Sequence, residues 1–272
     1  MATDSALEKV FAYLSSRPLL KEKVGQALRQ AIDLVLDGGH TLRWDINQLD
    51  KNEKAHIGTK VEHFLKYELS LPGGKKFDTC IEGIEVDIKF SLDPHGHMIP
   101  MEHIGELCLL LWADDSISRF SMGLVRPNES ILNRGNRDKK REISAAGRSQ
   151  IRWLITEAQG ALPRNFLLGL QAPIRDQILR QPNGQARVTQ LFRAVQKRII
   201  PRDVIVTLGQ QHDALKRVRT TRQRLVEEGI VVLAHYSEDR IQALQLGVTP
   251  PKSGEFISAP LAGRGTAVLT KT

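Results

Sequence analysis

The chain has 272 residues, 41% of them hydrophobic and 26% charged, a balance that excludes a disordered or collagen-like polypeptide and suits one large domain or two modest ones. Its longest apolar run, Leu107–Ala113, falls far short of the roughly 20 residues that span a bilayer. The opening Met1-Ala-Thr-Asp-Ser lacks the basic-then-apolar layout of a secretory leader, so the expectation is a soluble, cytoplasmic protein without a membrane partner.

The net charge of +8 is unevenly spread: residues 1–120 carry 14 Lys/Arg against 19 Asp/Glu, a net of −5, and residues 121–272 carry 25 against 12, a net of +13. Basic residues gathered in one half are the electrostatic footprint of a phosphate-backbone binder. A metal centre is one reason for an acidic first half. Cys80 and Cys108 belong to no Cys/His cluster with zinc-ligand spacing, and buried thiols are expected.

In chain order, Ala6 to Leu36 reads as one or two helices, from the spacing of Val10, Phe11, Leu14, Val24, Leu28, Ile32 and Leu36. Asp37-Gly38-Gly39 ends it with glycines on the C-cap side. Thr41–Asp50 reads as irregular, with no assignable role. A helix is predicted from near Gly58-Thr59, with Val61, Phe64, Leu65 and Leu69 on one face, Glu62 beside it, and Pro72-Gly73-Gly74 as its stop.

The period then changes from helical to two-residue. Ile84, Val86, Ile88 and Phe90 alternate with Glu85, Asp87 and Lys89, so the charged side chains leave one face of a strand. Glu82-Gly83 reads as the turn from an earlier strand around Phe77–Ile81. Glu106–Ala113 and Phe120–Val125 are predicted strands joined through Asp114-Asp115. Arg134–Arg141 is a basic loop, followed by a predicted helix through Ile151, Leu154 and Ile155.

Leu162-Pro163 and Gln181–Gln185 are the predicted breaks between domains. Beyond them Val188, Leu191, Phe192, Val195 and Ile199 define an amphipathic helix, a short helix follows Pro201, and a third runs from Asp213 to Gly229. The third has a core face of Leu215, Val218, Leu225 and Val226 and is crowded by Lys216, Arg217, Arg219, Arg222 and Arg224; Ile230–Ala234 follows as a strand. Three helices and a strand, the third helix the most basic, describe a helix-turn-helix with a wing over about residues 186–260.

Hydrolysis of a phosphodiester needs an activated water, relief of negative charge and a proton for the leaving oxygen. Mg²⁺ held by two or three carboxylates supplies most of this, and a nearby lysine stabilises the developing charge. Asp87-Ile88-Lys89 places an acid and an ammonium on one strand face about 7 Å apart. Asp78 across the turn and Glu62 on the preceding helix are candidates for further carboxylates. A second acid-x-Lys triplet, Asp138-Lys139-Lys140, lies in the basic loop with no alternating pattern to hold it on a strand.

The order Glu62, Asp78, Asp87-Ile88-Lys89, with intervals of 16, 9 and 2 residues, resembles the NaeI-type restriction endonucleases of the PD-(D/E)-x-K superfamily, relatives of the MutH mismatch-repair nickase. The residue before Asp78 is Phe77 and not the proline of the superfamily's name. The resemblance continues through Arg134–Arg141 and Gly184–Gly229.

The resemblance implies an α/β restriction-endonuclease core (mixed sheet flanked by helices) over residues 1–161, and a C-terminal DNA-binding domain with a winged helix over 162–272. It implies a homodimer that cuts both strands of double-stranded DNA with Mg²⁺ at a short palindrome, GC-rich by analogy, and binds a second DNA copy as effector. Asp78 and Asp87 would then ligate the metal, Glu62 would ligate it or orient its water, and Lys89 would position the nucleophile. Arg134, Asn136, Arg137, Lys139, Lys140 and Arg141 become candidates for groove and backbone contacts, and Lys216, Arg217, Arg219, Arg222 and Arg224 for phosphates.

Two other readings use the same residues. A MutH-like repair nickase would cut one strand, and a winged-helix regulator would bind DNA without cutting it. The complete acid-plus-lysine set has no purpose in a regulator. No GxxxxGK[ST] motif is present, so no nucleotide cofactor is expected. His95, His97 and His103 lack a third partner at zinc spacing and read as loop histidines.

Overall fold

A computed structural model describes residues 4–136, 139–210 and 214–261, with the backbone alone for 214 and 215. The chain divides into two compact units: the chain up to Leu36 with Asp45–Asn165, and Asp37–Trp44 with the chain from Phe166 onward.

The first unit begins with α1 (Ser5–Ser15), capped by the Asp4 carboxylate, which accepts from the Leu7 N–H, and α2 (Leu20–Leu36). Val10, Leu14, Val24, Leu28 and Ile32 are fully buried, as their helical spacing requires. The glycines after α2 act differently from the expected cap. Asp37 itself takes the left-handed turn (φ 47°), and Gly38–Thr41 forms a short helix, α3, in the second unit. Gly38 is required there by close approach, since a Cβ would stand 2.5 Å from Thr207 Oγ1 and 2.8 Å from the Arg43 carbonyl oxygen.

Helix α4 (Lys51–Glu68) starts well before Gly58, where the apolar stripe alone placed it. Asp50 accepts from the Asn52 and Glu53 N–H groups, and the Glu53 carboxylate accepts from the Asp50 N–H. This reciprocal capping box holds a polar first turn that no apolar period announces.

Five strands follow: β1 (Thr79–Ile81), β2 (Ile84–Ser91), β3 (Leu107–Asp114), β4 (Arg119–Val125) and β5 (Arg152–Ala161). They form one sheet in the order β1-β2-β3-β4-β5, with β2 and β3 parallel and the other neighbours antiparallel. The first unit is therefore a mixed sheet with helices, as expected. Val86, Leu109, Leu111, Met122 and Leu124 meet residues of α1, α2 and α4 in the main core. On the other face Cys108 and Leu110 pack with Ile99, Val125, Ile131, Ile143 and Ile151. Burial on both faces explains why β3 is an uninterrupted apolar run. Of the two thiols, Cys108 is buried and Cys80 half-buried.

Strand β5 corrects the helix predicted through Ile151, Leu154 and Ile155. Trp153 pairs with Gly123 and Ile155 with Met122, and the register shifts along this ladder. Such an irregularity breaks strict alternation, and three apolar residues at helical spacing are compatible with either element.

Because β2 and β3 run parallel, residues 92–106 must return along the length of the sheet between them. This crossover contains one turn of 3-10 helix, Met101–His103. Two histidines in it are not simple loop residues. His97 is buried with Nε2 2.7 Å from the Leu111 carbonyl oxygen, and His103 reaches Asp87.

The second unit contains α5 (Ala172–Leu179), α6 (Gly184–Ala194), β6 (Ile200–Pro201), α7 (Arg202–Gly209), α8 (Ala214–Glu227), β7 (Ile230–Leu233), α9 (Ser237–Gln245) and β8 (Glu255–Pro260). Asn183 caps α6 by accepting from the Ala186 N–H, and the helix ends before Val195 and Ile199. Val188, Leu191, Phe192, Ile205, Leu208, Val218 and Leu225 form its core, against which Leu42 and Trp44 pack. The small sheet has the order β6-β8-β7. On α8, Val218 and Leu225 are buried, but Val226, expected in the core, is 50% exposed. Asp213 and the Leu215 side chain lie outside the described residues. Among the described residues no helix is long and apolar enough to cross a membrane.

Burial lowers the His97 pKa to about 4, so the fold holds it neutral whereas the unfolded chain protonates it near pH 6.5. Its contribution to stability is therefore full above about pH 6.5 and is lost as the pH falls toward 4. Urea unfolding at pH 7 and pH 5 should show a loss of about 2 kcal/mol from this group. The expected result is that His97→Gln flattens that part of the profile; an unchanged slope would contradict it.

Candidate active site

The alternation of β2 sends Asp87 and Lys89 out of the same face as Cys108 and Leu110, the partners of Asp87 and Lys89 on β3. Asp87 is only 4% exposed. Its Oδ2 lies 2.8 Å from Lys89 Nζ and 3.0 Å from His103 Nδ1. The His103 contact is electrostatic, because Nδ1 is buried and makes no well-directed hydrogen bond. Burial pushes the Asp87 carboxyl above its ordinary range; the Lys89 hydrogen bond and charge and the His103 charge oppose this, and the charge of Asp78 adds to it. The neighbouring Cys108 thiol is pushed up to about 12 by burial and by the Asp87 charge, which keeps it protonated and inert.

Asp78 comes from the other arm of the hairpin. Thr79 pairs with Val86, so one step further the ladder brings Asp78 opposite Asp87. Its Oδ2 accepts from the Ile88 N–H at 2.7 Å, which fixes the carboxylate against β2. The turn is the expected Glu82-Gly83, both with positive φ.

Glu62 approaches from α4, the helix that packs on β2. Its Oε1 lies 2.6 Å from Lys66 Nζ, one helical turn on, and the same ammonium donates to the Asp78 carbonyl oxygen at 3.3 Å. Lys66 thus joins Glu62 to the Asp78 segment. Sequence reasoning passed over it, although an acid four residues before a lysine on a helix is a recognisable pair. His103 had no such signal, since only the crossover path brings it to Asp87.

The basic loop is tied to the same crossover. Ile99 and Arg141 exchange backbone hydrogen bonds at 2.8 and 2.9 Å. Arg134, Lys139 and Lys140 are exposed. Asn136 Oδ1 accepts from the Lys140 N–H, closing the loop on itself. Arg141 pairs with Glu129 and donates to the carbonyl oxygens of Asn133 and Leu132, so its guanidinium braces the loop. Arg137 lies outside the described residues. In the second unit Lys216, Arg219 and Arg224 are exposed on α8, Arg217 is half-buried, and Arg222 pairs with Asp239.

The donor set suits a hard divalent cation. Asp78, just before β1, and Asp87 on β2 offer carboxylate oxygens, and Glu62 is linked to the Asp78 segment through Lys66. Among the described residues no three His, Cys, Asp or Glu side chains form a group that could by itself hold a metal ion.

The sequence model of the family described as "Restriction endonuclease NaeI" matches residues 10–266. The chain is 39% identical over 265 residues to the Type II restriction enzyme NaeI of Lentzea aerocolonigenes, an alignment covering 94% of this chain and 83% of that protein. These matches place the chain in the NaeI restriction endonuclease family.

Proposed function

We propose that this Type II restriction endonuclease cuts double-stranded DNA at a centre built from Asp78, Asp87 and Lys89, with Glu62 beside them and Mg²⁺ as the metal. The observation that carries the reading is the β1–β2 register, which brings Asp78 opposite Asp87, whose carboxylate lies 2.8 Å from the Lys89 ammonium. A divalent cation bound by the two carboxylates supplies Lewis acidity and lowers the pKa of water.

The protein's own groups do the rest. Asp87 is buried on the sheet face, where electrostatic interactions are strong, and Asp78 stands half-buried opposite it. Lys89 neutralises Asp87 in the free protein and, with DNA present, turns its ammonium toward the scissile phosphate. There it stabilises the charge that builds as the oxygen of water joins phosphorus and the leaving oxygen departs with a proton. Lys66 restrains Glu62, which leaves that carboxylate available to orient water.

Cutting both strands of a palindrome calls for two centres related by a two-fold axis, so a homodimer is the assembly proposed. Asp87→Ala should lower cleavage by at least about 10³-fold, on the order of 4 kcal/mol of transition-state stabilisation, while DNA binding persists. Plasmid digestion with Mg²⁺, scored for linear and nicked product, tests this. Full cutting by the variant would overturn the site, and a wild-type product that stops at the nicked circle would favour a nickase.

For the second unit we propose a winged helix, with α8 as the DNA-binding helix and β7–β8 as the wing. Its support is the sequence α6, α7, α8, β7 and the exposure of Lys216, Arg219 and Arg224 on α8. Replacing these three by alanine should weaken binding across sequences and reduce the slope of log K against log salt by about 0.9 per lost phosphate contact. An unchanged slope, measured by fluorescence anisotropy, would remove α8 from the interface.

A further inference from the structure

Glu85 has no part in the centre as described so far, although it leaves β2 on the same face as Asp87. Its carboxylate accepts from three consecutive backbone N–H groups. Oε1 takes the Lys75 N–H at 2.9 Å, and Oε2 takes those of Lys76 at 3.1 Å and Phe77 at 2.9 Å. Successive N–H groups converging on one anion form a nest, which fixes the backbone that supplies them.

The nest is tight. A Cβ on Gly74 would fall 2.3 Å from the Phe77 carbonyl oxygen and 2.6 Å from Glu85 Oε2, so only glycine lets the segment close at that point. The Gly74 N–H also reaches the Asp78 carbonyl oxygen at 3.4 Å. The segment held in this way ends on Asp78.

Phe77 occupies the position where proline gives the superfamily its name. Proline would preset φ and carry no N–H. Phe77 has the N–H and donates it to Glu85, and its ring stands edge-on to His103 at 4.9 Å. His103 in turn lies against Asp87. The segment before Asp78 is thus held by Glu85 on its backbone and by His103 on its side chain.

We propose that Glu85 is a positioning residue of the nuclease: its carboxylate shapes residues 75–77 so that Asp78 faces Asp87, and so sets the affinity of the centre for its divalent cation. The inference rests on reading Asp78 as a metal ligand. A staple that stabilised only the loop would have no bearing on metal.

The test compares full-length wild type, Glu85→Ala, Glu85→Gln and Asp78→Ala. Mn²⁺ binding is measured by calorimetry, amide hydrogen exchange is followed at residues 75–77, and cleavage is titrated with Mg²⁺. Glu85→Ala should speed exchange at Lys75–Phe77, weaken Mn²⁺ at least about tenfold, and raise the Mg²⁺ needed for half-maximal cleavage by a similar factor. Metal-free DNA binding should stay within about twofold of wild type, because the residue acts through Asp78. Glu85→Gln keeps one carbonyl acceptor and should fall between; if the alanine variant does not fold, the glutamine variant carries the test.

Asp78→Ala that still cuts would overturn the site and this inference with it. An inactive Asp78→Ala alongside faster exchange but unaltered Mn²⁺ binding in Glu85→Ala would leave the site standing and overturn the role of Glu85.

Discussion

A carboxylate sealed against a β-sheet must find positive charge or take up a proton. Asp87, with 4% of its surface exposed, is in that position. Burial drives its carboxyl upward, and the charges of Lys89 and His103 oppose the rise. The arrangement around it follows from this requirement: a lysine two residues along the strand, a histidine delivered by the crossover, and a second acid across the hairpin that increases the need for a cation. In the free protein Lys89 meets part of that need. On the proposed function a divalent metal would meet it better and would leave the same lysine for the phosphate.

This dependence explains which parts of the site could be read from the sequence. Asp87 and Lys89 announce themselves by two-residue alternation, and the Glu82-Gly83 turn folds β1 back so that Asp78 falls opposite Asp87. Those features are local, and local periodicity survives into the fold. The role of Lys66 is half local: its pairing with Glu62 follows from helical spacing, but its bond to the Asp78 carbonyl needs α4 to lie on β2. Glu85 sits in the alternation of β2, but His103 and the segment 75–77 that bonds to Glu85 carry no period, so no pattern in the chain marks their contacts.

Misreadings had the same origin. The polar first turn of α4 is held by its capping box, not by an apolar stripe. The irregular ladder of β5 hid a strand behind helical spacing. Arg141 and Asn136, candidates for DNA contact from the sequence, also bond within their loop, which composition alone does not show. The glycines after α2 look like a helix stop, but Gly38 is there because Thr207 comes too close for a side chain. Charge composition alone shows that a residue is basic, and only packing shows whether its charge is spent inside the protein.

On the proposed function, the β1–β2 register makes Asp78 and Asp87 a shared metal site on the sheet face bearing Lys89. A crystal of the protein soaked in Mn²⁺ and measured at a wavelength where manganese scatters anomalously tests it directly. The account predicts an anomalous peak in contact with carboxylate oxygens of both Asp78 and Asp87. A peak held by other residues, with these two carboxylates still turned to Ile88 and Lys89, would contradict it.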